Sequence, residues 1–126
     1  MPYKVADGHD IIEANLNTIN PQPRSTGIRA TRRVFLADGS VQDDGRYIEL
    51  HWGIIDNPSA YQSLLSQFGV QNATTNDVTV YVPDETFAWV RYNGTAVRPA
   101  QGSDVRRQDF FIRDVVVLVR DLEAAS

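Results

Sequence analysis

Apolar and polar residues alternate most cleanly between positions 47 and 54. Ile48, Leu50, Trp52 and Ile54 fall on one side, and Tyr47, Glu49 and His51 on the other. A period of two is that of a β-strand with one buried face. Upstream, Thr31-Arg32-Arg33-Val34-Phe35-Leu36 predicts a strand and Ala37-Asp38-Gly39-Ser40 a tight turn, because Asp and Gly accept the left-handed φ values of hairpins. Asp43-Asp44-Gly45 predicts a further break. Downstream the period changes to that of a helix over about 57–68, with Tyr61, Leu64, Leu65 and Phe68 on one face. Asn57 suits the N-cap, Pro58 the first helical position, and Gly69 a left-handed end.

Val78, Val80 and Val82 mark the next strand, and Pro83-Asp84-Glu85 a turn. A strand is then expected from Thr86 to Tyr92, a hairpin turn at Asn93-Gly94, and a return strand at Thr95-Ala96-Val97. Pro99 to Gln108 reads as a polar loop. The last segment, from Phe110 to about Leu122, is apolar on both sides: Phe110, Ile112, Val116 and Leu118 on one, Phe111, Val115, Val117 and Val119 on the other. A strand with a wet face shows polar residues there, so this one needs two covers. The second is either the helix, which makes the strand core, or another chain, which makes it an assembly surface.

Residues 1–30 are weakly patterned. Ile12, Leu16 and Ile19 fit one face of a short helix, and Asn17, Asn20, Pro21 and Pro23 interrupt any regular element. This predicts an extended N-terminal arm over 1–30 ahead of one domain over 31–126. The fold class is mainly β: an antiparallel sandwich or barrel with one flanking α-helix.

Composition narrows the function more than the fold. The chain has 126 residues, 42% hydrophobic and 22% charged, the balance of a globular domain. A net charge of −4 lacks the basic field of a dedicated nucleic-acid binder. With no cysteine, disulfides and thiolate metal sites are excluded. The first residues lack a signal-peptide pattern, and the longest apolar run, Val115 to Val119, has strand length, so neither secretion nor a membrane helix is expected. Asn72-Ala73-Thr74 and Asn93-Gly94-Thr95 have the glycosylation pattern but read as turn chemistry.

Candidate chemistry is sparse. Asp7-Gly8-His9-Asp10 has donors for a cation but no second shell to fix them. Glu49 and His51 share the polar face of their strand, without a third group or a pocket. No phosphate-binding glycine loop and no Gly-x-Ser-x-Gly turn is present. The expectation is a protein that is not an enzyme and holds no cofactor or metal. The basic pairs Arg32-Arg33 and Arg106-Arg107, with Arg113 and Arg120, have Asp109, Asp114 and Asp121 nearby in sequence, which favours salt bridges between strands or subunits over phosphate contact. The candidate subunit interface is therefore Arg32, Arg33, Arg106, Arg107, Phe111, Arg113, Val115 and Val117.

Residues 30–123 resemble small minor tail and tail-tip proteins, including the distal-tail type, of long-tailed bacteriophages. The resemblance lies in element order and residue type: Arg33-Val34-Phe35-Leu36-Ala37-Asp38-Gly39-Ser40, Tyr47-Ile48-Glu49-Leu50, the helix from Tyr61 to Phe68, Val78-Thr79-Val80-Tyr81-Val82 with Trp89, and Val115 to Leu122. It implies a tail-tube-like β fold that forms rings, often hexameric, docked to neighbouring tail proteins in the virion after synthesis in the host cytoplasm. DNA or the tape-measure protein would pass through the lumen of such a ring, and an acidic wall lets DNA slide. The alternative from another class is a carbohydrate- or peptide-binding β module, with Trp52, Trp89, Tyr81 and Tyr92 as an aromatic platform.

Overall fold

The computed structural model describes the chain apart from Met1, Thr26, Asp56, Asn57, Glu85, residues 101–105, Asp109, Phe110 and Ser126; the side chains of residues 31–34, 42–44, 106–108, 111 and 113 are also outside the description. The elements are β1 (Lys4–Asp7), a 3-10 turn (Glu13–Asn15), β2 (Asn17–Thr18), β3 (Arg24–Ser25), β4 (Arg29–Phe35), β5 (Val41–Ile55), α1 (Pro58–Gln67), β6 (Thr75–Pro83), β7 (Trp89–Val97), β8 (Arg106–Gln108) and β9 (Phe111–Ala124). The protein is mainly β with one helix. The strands form one antiparallel sheet in the order β2-β1-β6-β7-β9-β5-β3, with β4 beside β5 and β8 beside β9, and it does not close into a barrel.

Inward residues from strands far apart in that order gather into one core. Val5 of β1, Ile48 and Leu50 of β5, Val78, Val80 and Val82 of β6, and Val115, Val117 and Val119 of β9 belong to it. The helix adds Tyr61, Leu64 and Leu65, with Phe68 just beyond its end, and it touches β1, β5 and β9. The predicted helical face is the buried face. Gly69 takes φ +71°, as a left-handed helix end requires, and Val70 N–H donates to the Leu65 carbonyl. The expected N-cap, Asn57, lies outside the described residues.

Five expectations are corrected. The first thirty residues are not an extended arm. β1 pairs with β6 along its whole length, and Val5 and Ile19 are core residues. The chain then crosses the other side of β6, where Ile11 and Leu16 pack with Ala6, Tyr81 and Trp89. Weak periodicity concealed this because the segment is held largely by side-chain bonds. Asp10 N–H and the Asp10 carboxylate both bond the Asn93 amide, Arg91 donates to the Ile11 carbonyl, and Thr79 Oγ1 donates to the Gly8 carbonyl.

Asn93-Gly94 is not a hairpin turn. β7 runs through it without interruption, and the turn lies at residues 84–88. The glycine serves close packing instead: a Cβ there would stand 2.6 Å from Val119 Cγ1 and 3.1 Å from the Arg120 carbonyl oxygen. Opposite it β9 carries a bulge, with Asp121 and Leu122 facing Gly94 between the pairs Asn93–Glu123 and Thr95–Arg120. Asp121 sits at φ +55°.

Asp43-Asp44-Gly45 does not break the chain either; β5 passes through it, and pairing with β4 at Asp43–Arg33 and Asp44–Arg32 holds it in the ladder.

β9, expected to be covered twice, is fully buried on one side only. Val115, Val117 and Val119 are core, whereas Val116 and Leu118 are half-buried. Its two-sided apolar pattern has a geometric cause. The pairing of β5 with β9 keeps one register from Tyr47–Arg120 to Ile55–Ile112, yet both strands change their buried side at Gly53 and Asp114, where Asp114 has φ +54°. Inward residues are therefore Ile48, Leu50, Trp52 and then Ile55 on β5, and Ile112 and then Val115 on β9. Ile54, expected inside, points out. The strand buried on both sides is β6, where Val78 through Val82 are all inaccessible or nearly so.

Candidate interaction surface

β5 is longer than its partner β9. From Tyr47, which pairs with Arg120, the first residues of β5 pair only with β4 while β9 continues to Ala124 against β7, so the β4–β5 hairpin parts from β9 as a two-stranded ribbon. Its tip is apolar: Phe35 faces Val41 across the ladder and is 76% exposed, and Leu36 and Val41 are exposed with it. The turn itself is held by hydrogen bonds. Gly39 adopts φ +87°, Leu36 N–H donates to the Ser40 carbonyl, and the Asp38 carboxylate accepts from Ser40 N–H and Oγ. The Ser40 hydroxyl, followed by its N–H, holds the Asp38 carboxyl below the ordinary carboxylate value, so the tip is both apolar and anionic.

A second display lies in the β6–β7 turn. Asp84 Oδ1 accepts from Thr86 N–H, Thr86 Oγ1 and Ala88 N–H, and Phe87 N–H donates to the Asp84 carbonyl. The Thr86 hydroxyl chiefly, then its N–H, keeps the Asp84 carboxyl below its ordinary value, helped by the Arg46 charge. This frame holds Phe87 at φ +65° with its side chain 85% exposed. A left-handed backbone costs an L-residue about 1–2 kcal/mol, and a ring this exposed gains little burial in return.

The two displays share one end of the molecule. Tyr47, Arg120 and Thr95 stand in one row across β5, β9 and β7. β5 and β7 run the same way from that row, so six residues back lies Val41 on one and Trp89, beside the turn, on the other. Arg46 spans the gap, with its guanidinium 5.5 Å from the Tyr92 ring centre and its charge acting on Asp84.

Among the described residues, two open grooves lie along the outer side of β5. One, of about 600 Å³, includes Tyr47, Glu49, Leu118, Arg120 and Asp121; the other, of about 510 Å³ and near the far end of the strand, includes Pro21, Arg24, His51, Gly53 and Ile54. Between them His51 Nε2 meets Glu49 Oε2 at 3.2 Å, the pair anticipated from their spacing. No group of three or more His, Cys, Asp or Glu side chains suited to a metal comes together among the described residues. His9 and its neighbours act instead as a latch: His9 Nε2 lies 3.1 Å from the Gly94 carbonyl, and Asp7 accepts from Asn76.

Of the candidate interface residues, Val115 and Val117 are corrected. Both have 0% exposure and lie in this chain's own core, which leaves them no area to give a neighbour. The side chains of Arg32, Arg33, Arg106, Arg107, Phe111 and Arg113 lie outside the described residues, and their backbones fall in two places. Arg32 and Arg33 stand on the hairpin stem, whereas Arg106 pairs with Arg113 near the other end of the sheet. The aromatic platform does not form as one surface. Trp52 and Tyr92 are core, with the indole N–H donating to the Pro21 carbonyl, and Tyr81 and Trp89 pack together on the opposite side with Tyr3 against Trp89. Phe35, Leu36 and Phe87 were missed as site residues; an apolar residue inside or beside an Asp-capped polar turn is the signal that marks them. No protein-family model, curated protein or solved structure matches this chain.

Proposed function

We propose that the protein is a structural component of a bacteriophage tail, at the tail tip or the end of the tube, which assembles with copies of itself into a ring and docks to neighbouring tail proteins. The observation that supports this reading best is the end of the molecule that carries Phe35 on the β4–β5 hairpin and Phe87 on a strained, carboxylate-framed turn. Exposed aromatics at the centre of a recognition surface contribute disproportionately to binding. Rigid framing reduces the ordering cost of association. Both features are unfavourable in an isolated chain and useful in an assembly. The acidic composition suits a ring through which DNA passes. No helix among the described residues is long and apolar enough to cross a membrane.

The carbohydrate- or peptide-binding module is the second reading, and Phe87 is the residue that would serve it. Against it stand the burial of Trp52, Tyr81 and Tyr92 and the two-sided division of the aromatics. Negative-stain imaging of the purified protein, alone and with the products of the genes beside its own, separates the readings. Closed rings are expected in at least one preparation. Particles that remain single chains of 14.1 kDa in both would overturn the tail assignment.

A further inference from the structure

β5 carries complementary features at its two ends. At its start is the hairpin tip, with exposed Phe35, Leu36 and Val41 around the anionic carboxylate of Asp38. Near its finish is the groove that includes Pro21, Arg24, Gly53 and Ile54, of which Ile54 is 55% exposed. We propose that the hairpin tip of one copy seats in this groove of the next copy, Phe35 against Ile54 and Pro21, with Asp38 toward Arg24. The inference rests on the self-assembly reading above and names the surfaces it would use.

Three observations select a second copy in this orientation. Tip-to-tip pairing would bring two Asp38 carboxylates together, and like charges brought together oppose association. The groove beside Tyr47 offers Glu49 and Asp121 as well as Arg120, a poor match for an anionic tip. The groove at the finish of β5 provides Arg24 beside apolar surface, and the backbone there leaves room: a Cβ on Gly53 meets nothing within 4 Å. Because tip and groove are different surfaces on one chain, the contact is head-to-tail and repeats, giving a ring when the rotation closes and a filament when it does not. Twelve residue steps separate Val41 from Gly53, so successive copies would be offset by roughly 40 Å at a strand rise of about 3.3 Å.

Gly53 also supplies the test, since it is exposed and lacks a left-handed φ. Gly53→Glu fills the groove and repels Asp38 without disturbing the core; Arg24→Glu reverses the groove charge and is an independent second variant. Phe35→Ser removes the tip. Sedimentation velocity across a concentration series should show wild-type association and, for each variant, association at least tenfold weaker, with circular dichroism and thermal midpoint unchanged. A mixture of Phe35→Ser and Gly53→Glu should form a complex of two chains of 14.1 kDa and stop there, because that pair contains one working tip and one working groove. Wild-type association that persists in both groove variants would overturn the assignment of the groove while leaving self-assembly intact. Failure of the mixture to pair would overturn the tip-to-groove contact, and a wild type that stays monomeric throughout would overturn both.

Discussion

Replacing Gly94 by alanine tests whether the Asn93-Gly94 step is a packed strand position or a turn. Its φ lies outside the left-handed region, so an added methyl meets no backbone penalty. It would meet Val119 Cγ1 at 2.6 Å, Leu122 Cδ2 at 3.0 Å and the Arg120 carbonyl oxygen at 3.1 Å. Forcing a methyl into a filled site costs about 1–3 kcal/mol. The upper part of that range applies because one of the three atoms is backbone. Lower chain entropy in the unfolded state returns about 0.5–1 kcal/mol, leaving a net loss of about 2 kcal/mol and a thermal midpoint lower by about 6–10 °C. Val119→Ala alone removes two buried methyl groups and should cost about 2–3 kcal/mol. In that background the worst contact is gone and the new methyl fills part of the space. Gly94→Ala should then cost under about 1 kcal/mol, a coupling of at least about 1 kcal/mol in a double-mutant cycle. Urea unfolding at constant m-value measures all four species. Gly53→Ala is the control: with nothing within 4 Å of its Cβ, it should leave stability unchanged or slightly raised. Additive losses at Gly94 and Val119, within about 0.3 kcal/mol, would refute the packing explanation.

Three further outcomes are expected. Thr79→Val keeps the shape of a fully buried side chain but removes the partner of the Ile11 N–H and the Gly8 carbonyl. It should lower unfolding stability by about 1–3 kcal/mol and raise exchange of the Ile11 amide; an unchanged exchange rate would count against the bond. Ile19→Ala, at a site 1% exposed, should cost about 2–4 kcal/mol in urea unfolding, whereas a residue on a free arm would cost nothing measurable. The depressed Asp84 carboxyl stabilises the β6–β7 turn fully above its unfolded value, near 3.8, and that contribution is lost as pH falls through the lower folded value. The protection factors of the Thr86 and Ala88 amides should therefore fall only in that acidic window, and Asp84→Asn should abolish this pH-dependent loss of protection.

Periodicity located the helix, the core side of β5 as far as Trp52 and the core valines of β6, because those residues recur at the spacing of their element. It failed where burial depends on partners distant in sequence. Val5 and Ile19 carry no local pattern that foretells their burial: Val5 is placed by the pairing of β1 with β6, and Ile19 N–H donates to the Tyr3 carbonyl beside it. Asn-Gly is read as a turn because both residues accept positive φ, but the same glycine also permits close approach, and Gly94 is used for that. The double-sided apolar reading of β9 arose from counting alternation straight through Asp114 and Asp121, whose left-handed backbones move the buried side from Ile112 to Val115 and from Val119 to Leu122. The Glu49–His51 pair was legible because two residues on one strand face are neighbours by geometry. The aromatic display was not, because exposure of Phe35 and Phe87 depends on how the hairpin parts from β9 and how the turn is framed.

Hydrogen–deuterium exchange of the wild-type protein, compared between dilute and concentrated samples, tests the assembly account most directly. Amides at residues 36–40 and 86–88, together with those of Gly53 and Ile54, should gain protection as concentration rises, while the core of β6 stays equally protected in both. If none of these loop and groove amides changes in a sample that has associated, the end of the molecule bearing Phe35 and Phe87 is not its assembly surface.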